Sequence, residues 1–124
     1  MSKIVHFEIP ADDLQRAAAF YAEVLDWEVS PFGEQPYWLV RAGEPAELGA
    51  DGALIGRADL HQHPILIAAV TDLDDALRRV QAAGGQVVQG KLPVPATGWS
   101  AYFVDSEGNT VGLFQTDLNA PFPT

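Results

Sequence analysis

Apolar and polar positions run through the same succession of periods twice in this chain. Each round opens on a short apolar run, Ile4 to Ile9 and then Ile65 to Val70, which reads as a strand. A stretch of helical spacing follows each run. In the first, Leu14, Ala17, Ala18, Tyr21, Val24 and Leu25 form one stripe; in the second, Leu73, Ala76, Leu77, Val80 and Ala83 do so. Asp12 is the expected cap of the first helix, with Gln15 three residues on as in a capping box. Thr71 is the expected cap of the second, and Gly84-Gly85 ends it, because glycine takes a left-handed C′ conformation without steric cost.

Three extended pieces follow each helix. After the first come Trp27 to Ser30, Tyr37 to Arg41 and Gly52 to Gly56. After the second come Gln86 to Gln89, Ser100 to Val104 and Thr110 to Gln115. Turn formers separate them: Pro31-Phe32-Gly33, Pro93-Val94-Pro95 and Glu107-Gly108-Asn109. The copies align without a gap. Asp13-Leu14 matches Asp72-Leu73, an offset of 72 − 13 = 59, and the same offset pairs Tyr21 with Val80 and Val29 with Val88. One βαβββ unit is used twice, giving an α+β fold. The boundaries are about 3–57 for the first module, about 57–64 for a linker, about 64–117 for the second module and 118–124 for an irregular tail, all within one domain of 124 residues.

Composition narrows the function. Seventeen acidic against seven basic residues give a net charge of −10, so there is no basic footprint for nucleic acid. No apolar run approaches the ~20 residues of a membrane span, and Met1-Ser2-Lys3 leads straight into a strand. A cytoplasmic location is expected. The absence of cysteine excludes disulfides, thiolate zinc sites and a cysteine nucleophile. Phosphate loops, nucleophile elbows and dinucleotide fingerprints are also missing from the sequence.

The stretches VHFEIPADDLQRAAAFYAEVLDW, VTDLDDALRRVQAAGG and GWSAYFVDSEGNTVGLFQ, together with the 59-residue repeat, resemble the glyoxalase/bleomycin-resistance/dioxygenase (vicinal oxygen chelate) superfamily. The resemblance implies a cupped, partly open β-barrel with helices outside, frequent homodimers and a small-molecule pocket. In metal-using members it also implies three ligands for a divalent ion: a histidine in the first strand of each module and a glutamate after the DxxGN turn. Those positions fall on His6, Ile65 and Gly112. Only His6 can coordinate. Metal–ligand distances tolerate only ~0.2 Å, so isoleucine and glycine cannot be rescued by small shifts, and no cofactor is expected.

His6 and Glu8 lie two apart on a strand and share a face. They are the candidate catalytic pair, either as an acid–base couple or, in the alternative reading, as ligands of one divalent ion in a lyase, isomerase or dioxygenase. The linker histidines His61 and His63 read as exposed and without a role. Trp38, Trp99, Tyr102, Gly112 and Phe114 are the candidate ligand-binding positions: aromatic groups around a gap left by Gly112, with LPVPATG before Trp99 as a rim or lid. Trp27 and Phe20 are expected in the core. The favoured expectation is a binding protein for a small, partly aromatic or hydrophobic molecule.

Overall fold

A computed structural model describes residues 1–122. Its elements follow the predicted order: β1 (Ile4–Ala11), α1 (Leu14–Leu25), β2 (Glu28–Pro31), β3 (Tyr37–Arg41) and β4 (Asp51–Gly56), then β5 (Ile65–Ala69), α2 (Leu73–Ala82), β6 (Gln86–Val94), β7 (Gly98–Val104) and β8 (Thr110–Thr116). The chain divides into two compact units. One is Ile4–Leu66; the other starts at Ile67 and takes in Met1–Lys3, where Ala69 N–H donates to the Lys3 carbonyl at 2.9 Å.

Each unit has the same wiring. In the first the strands lie in the order β2-β3-β4-β1, with β1 parallel to β4 and the other pairs antiparallel. In the second the order is β5-β8-β7-β6, with β5 parallel to β8. The parallel pair in each is made by the strand before the helix and the last strand of the unit. This is the architecture of a duplicated βαβββ motif.

The helix caps lie one residue later than expected. Asp13 is the N-cap of α1 and accepts from Arg16 N–H at 3.0 Å; Asp72 caps α2 and accepts from Asp75 N–H at 3.0 Å. Aspartate outcompetes Thr71 because the next residue, Leu73, is the first to point into the core. Gln115 Oε1 on β8 takes the Leu73 N–H at 2.8 Å. Gly84 (φ +90°) turns the chain after α2 as predicted, while α1 ends on Asp26 in the left-handed conformation.

The stripe of α1 is only partly used. Trp27 fills the space beneath the helix, its ring 4.8 Å from Tyr21 and 5.3 Å from Phe7. Val24, Leu25 and Phe20 are left outside it, Phe20 at 59% exposure, so Phe20 does not belong to the core. In the second unit Leu73, Ala101 and Leu113 form a buried cluster, with Ala68, Val70, Ala76, Leu77, Trp99 and Phe103 packed around it. The LPVPATG segment is a β-hairpin rather than a loop. Leu92 pairs with Ser100 and Val94 with Gly98, and Pro93 is tolerated because β6 is an edge strand.

Candidate functional site

Strand alternation in the first unit separates two chemistries. Phe7 and Ile9 of β1 face α1, and Gly52 opposite Phe7 is required for that contact: a Cβ there would fall 2.5 Å from the Phe7 ring. His6 and Glu8 face the other way. Glu8 pairs with Ala53, which pairs in turn with Leu39, and Tyr37 pairs with Ile55, so His6, Glu8, Tyr37 and Leu39 lie on one face. Trp38 pairs with Leu54 and lies on the opposite, helix-side face.

On the His6 face two hydrogen-bonded pairs tie β1 to β3 and to the linker. Glu8 is only 2% exposed. His61 Nε2 lies 2.8 Å from Glu8 Oε1, and Glu8 is near enough to the Tyr37 phenol to raise its pKa. His6 Nε2 lies 2.8 Å from the Tyr37 oxygen. A buried acidic side chain is costly unless it is paired, and His61 is such a partner here.

His61 overturns the expectation of an idle linker histidine: it is buried, with 7% of its surface exposed. The linker is a built turn. His61 N–H donates to the Ala58 carbonyl at 2.9 Å and Gln62 Nε2 to the same carbonyl at 2.7 Å. Arg57 ties both ends, donating to Asp12 Oδ1 at 3.0 Å and to the Gln62 carbonyl at 2.8 Å. His63 is exposed, as expected. The signal available in the sequence was Glu8 itself, an acid between Phe7 and Ile9 that needs a buried partner.

Burial holds the His6 imidazole below its ordinary value of 6.5, against the opposing pull of Glu8 and Asp51. Burial and the neighbouring Glu8 carboxylate raise the Tyr37 phenol well above the usual range. At neutral pH the face therefore holds a neutral imidazole and a protonated phenol beside the Glu8 side chain.

In the second unit Tyr102 pairs with Gly112 and Ser100 with Phe114, so Tyr102, Gly112 and Phe114 share one face with Ile67. The gap expected at Gly112 is taken. A Cβ on Gly112 would fall 2.7 Å from Ile67 Cγ1 and 3.3 Å from Tyr102 Cε1. Trp99 lies on the α2 side. Its indole N–H donates to Asp117 Oδ2 at 3.0 Å, and Lys91 Nζ sits 4.6 Å above its ring. A groove of about 670 Å³ in this unit runs along α2 beside Met1 and the Asp105 turn, away from the Tyr102 face.

The sequence model of the glyoxalase/bleomycin resistance protein/dioxygenase superfamily matches residues 3–113, nearly the whole chain. The chain belongs to this superfamily. Among solved structures, a superfamily member from Vibrio splendidus 12B01 is 16% identical with a TM-score of 0.67, covering 94% of this chain and 100% of that one. The methylmalonyl-CoA epimerase of Mycobacterium tuberculosis is 20% identical with a TM-score of 0.62, covering 96% and 87%. The Mn(II)-bound glyoxalase of Novosphingobium aromaticivorans is 20% identical with a TM-score of 0.61, covering all of this chain and 42% of that one. At these identities the likeness establishes the glyoxalase fold alone. None of the curated proteins matches the sequence.

The residues present do not fit the metal of metal-using glyoxalase-superfamily proteins. Ile65, 1% exposed, has no lone pair to give, and Gly112 is covered by Ile67. Among the described residues no three His, Cys, Asp or Glu side chains gather in a way that could hold an ion. Glu8 is already paired with His61. Among the described residues no helix is long and apolar enough to cross a membrane.

Proposed function

We propose that this glyoxalase-superfamily chain binds a small, partly aromatic or hydrophobic molecule against the strand face that carries His6, Tyr37 and Leu39, without the usual metal centre. The observation that carries the reading is the chemistry of the three inherited positions. An imidazole survives at one of them, while an isoleucine and a bare backbone occupy the others. What stands around His6 instead is an apolar strand surface with a few placed polar groups, the make-up of a small-molecule site. Tyr102, Gly112 and Phe114, which share one face of the other unit's sheet, are a separate aromatic surface and are not part of this reading. Nor are Trp38 and Trp99, since both point to helices. The reading takes the protein as a homodimer, as the superfamily resemblance implies, and as cytoplasmic, as the sequence suggested.

The test has two arms. Protein purified without a histidine tag is assayed for metal by elemental analysis before and after mild chelation. Sub-stoichiometric metal that His6→Ala does not change is the expected result. Near-stoichiometric metal abolished by His6→Ala would overturn the reading in favour of a metal-dependent lyase, isomerase or dioxygenase. In the second arm, small aromatic fragments are titrated while ¹⁵N-labelled His6 and the amides of β3 are followed by NMR. This readout is preferred to tryptophan fluorescence because Trp27 and Trp38 point toward the helix.

A further inference from the structure

We propose that the outer face of α1 is a self-complementary interface, on which a second copy of this chain docks its own α1 antiparallel. Phe20 sits at the twofold axis, and Arg16 of each copy meets Glu23 of the other. The homodimer of the reading above supplies the second copy, and α1 supplies the contact surface which that reading left open. The internal duplication offers a comparison. The 59-residue offset sets Ala19 and Phe20 of α1 against Arg78 and Arg79 of α2. In α2 these positions have the charged pattern of a solvated face: both guanidinium groups bind Asp75, at 2.9 and 3.0 Å, with their side chains 68% and 82% exposed. In α1 the same positions carry a methyl group and a phenyl ring. Phe20 is 59% exposed and Val24, one turn on, 58%. Neither is needed inside, because Tyr21 and Trp27 fill the space beneath the helix. Phe20 is nonetheless held in place, its ring meeting the Tyr21 ring edge-on with centroids 5.3 Å apart.

Charge identifies the occupant. Arg16, Phe20, Glu23 and Val24 recur at i, i+4, i+7 and i+8, so they form one stripe. At the rise of a helix, Arg16 lies about 6 Å to one side of Phe20 and Glu23 about 4.5 Å to the other. A face with a cation and an anion at near-equal distances from its apolar centre matches itself after a twofold rotation, the symmetry of most homodimers. In the antiparallel arrangement each Arg16 comes level with Glu23 of the other copy, and the phenyl rings meet between the two ion pairs. In a parallel one like charges would meet. Both charges are available for the contact. Among the described residues Glu23 has no side-chain partner, and Arg16 holds only the neighbouring Asp13, at 3.9 Å with both side chains exposed. A pair of 12-residue helices makes a small interface, which puts dissociation on the order of micromolar.

Sedimentation equilibrium of the full chain, over a dilution series through the micromolar range, reads the association directly. The wild-type protein is expected to dimerise. Phe20→Arg gives α1 the residue that α2 carries at the matching position, and should weaken the dimer by roughly tenfold or more, as loss of a central aromatic anchor does. Arg16→Glu and Glu23→Arg, made singly, each set like charges together at both ends of the contact and should weaken it by roughly two- to tenfold. The double variant restores both pairs and should recover the wild-type value. All three positions are exposed, so circular dichroism should show an unchanged fold, and the charge exchange decides the question even where Phe20→Arg fails to fold. A wild-type dimer indifferent to Phe20→Arg, or a double variant no tighter than the single ones, overturns this interface and leaves the homodimer in place. A monomer throughout the range overturns both, while the ligand reading at His6 is untouched.

Discussion

Restoring a side chain at Gly112 is expected to cost stability, and the size of that cost tests whether the third inherited metal position has closed. In Gly112→Ala the new methyl would lie 2.7 Å from Ile67 Cγ1, 3.3 Å from Tyr102 Cε1 and 3.5 Å from Ile67 Cβ. Ile67 is β-branched and stiff about χ1, and both it and Tyr102 are buried, at 7% and 8% exposure. Neither can swing into solvent. Overpacking of this kind costs about 1–3 kcal/mol. Replacing glycine in an extended strand returns about 0.4–1 kcal/mol through the unfolded chain. The net loss is about 1–2 kcal/mol, or a fall in melting temperature of roughly 4–8 °C. The decisive measurement is a double-mutant cycle with Ile67→Ala, followed by urea denaturation. Removing Cγ1 should relieve the clash, so Gly112→Ala should be close to neutral in that background. A neutral Gly112→Ala in the wild type, or an equal cost in both backgrounds, would show that Ile67 does not occupy the position and would reopen it to a ligand group.

Three further outcomes follow from the same geometry. Glu8→Ala leaves the buried His61 ring without this partner, at about 1–3 kcal/mol; Glu8→Gln keeps a polar partner there and should lose clearly less in urea denaturation. Burial favours neutral His6 in the fold, so the unfolded chain takes up the proton first as pH falls below about 6.5. The His6 contribution to stability is therefore full above that value and falls with acidification until the folded-state value is passed, and the difference in urea midpoint between pH 7.5 and pH 5 should shrink in His6→Asn. The Asp105 carboxylate is held below its ordinary value by the Asn109 and Glu107 N–H groups, which donate to Oδ1 at 2.9 and 2.8 Å. Its contribution is present above about pH 3.9 and is lost as pH falls through the depressed value, and Asp105→Ala should speed amide exchange at Glu107 and Asn109 at neutral pH.

The fold was legible because its signals are periodic and repeated. A 59-residue offset carried without a gap through strand, helix and strand leaves few architectures open, and both units have the predicted order of elements. The shortfalls were local. The caps moved by one residue because either of two neighbouring polar side chains can cap, and the choice is made by which following residue enters the core, as Leu73 does with Gln115 waiting at its N–H. Phe20 was misplaced because helical spacing marks a face but not how far the sheet extends beneath it; Trp27, folding back from the αL turn at Asp26, took the room.

The candidate site was legible as a strand but not as a surface. Period-two alternation gave the shared face of His6 and Glu8 correctly. The same rule places Tyr37 and Leu39 with them only once the register of β3 on β4 is known, and a one-residue difference in register exchanges Trp38 for Tyr37. Register is set by pairing across ten or more intervening residues, which the sequence of β3 does not record. His61 lay further out of reach, since its burial depends on Arg57 bracing the linker from Asp12 to the Gln62 carbonyl. Each missed residue answers a polar group on an apolar strand, His61 that of Glu8 and Tyr37 that of His6. An acidic residue among strand hydrophobics is therefore the position from which to search outward, because its burial requires a polar partner elsewhere in the chain, here His61.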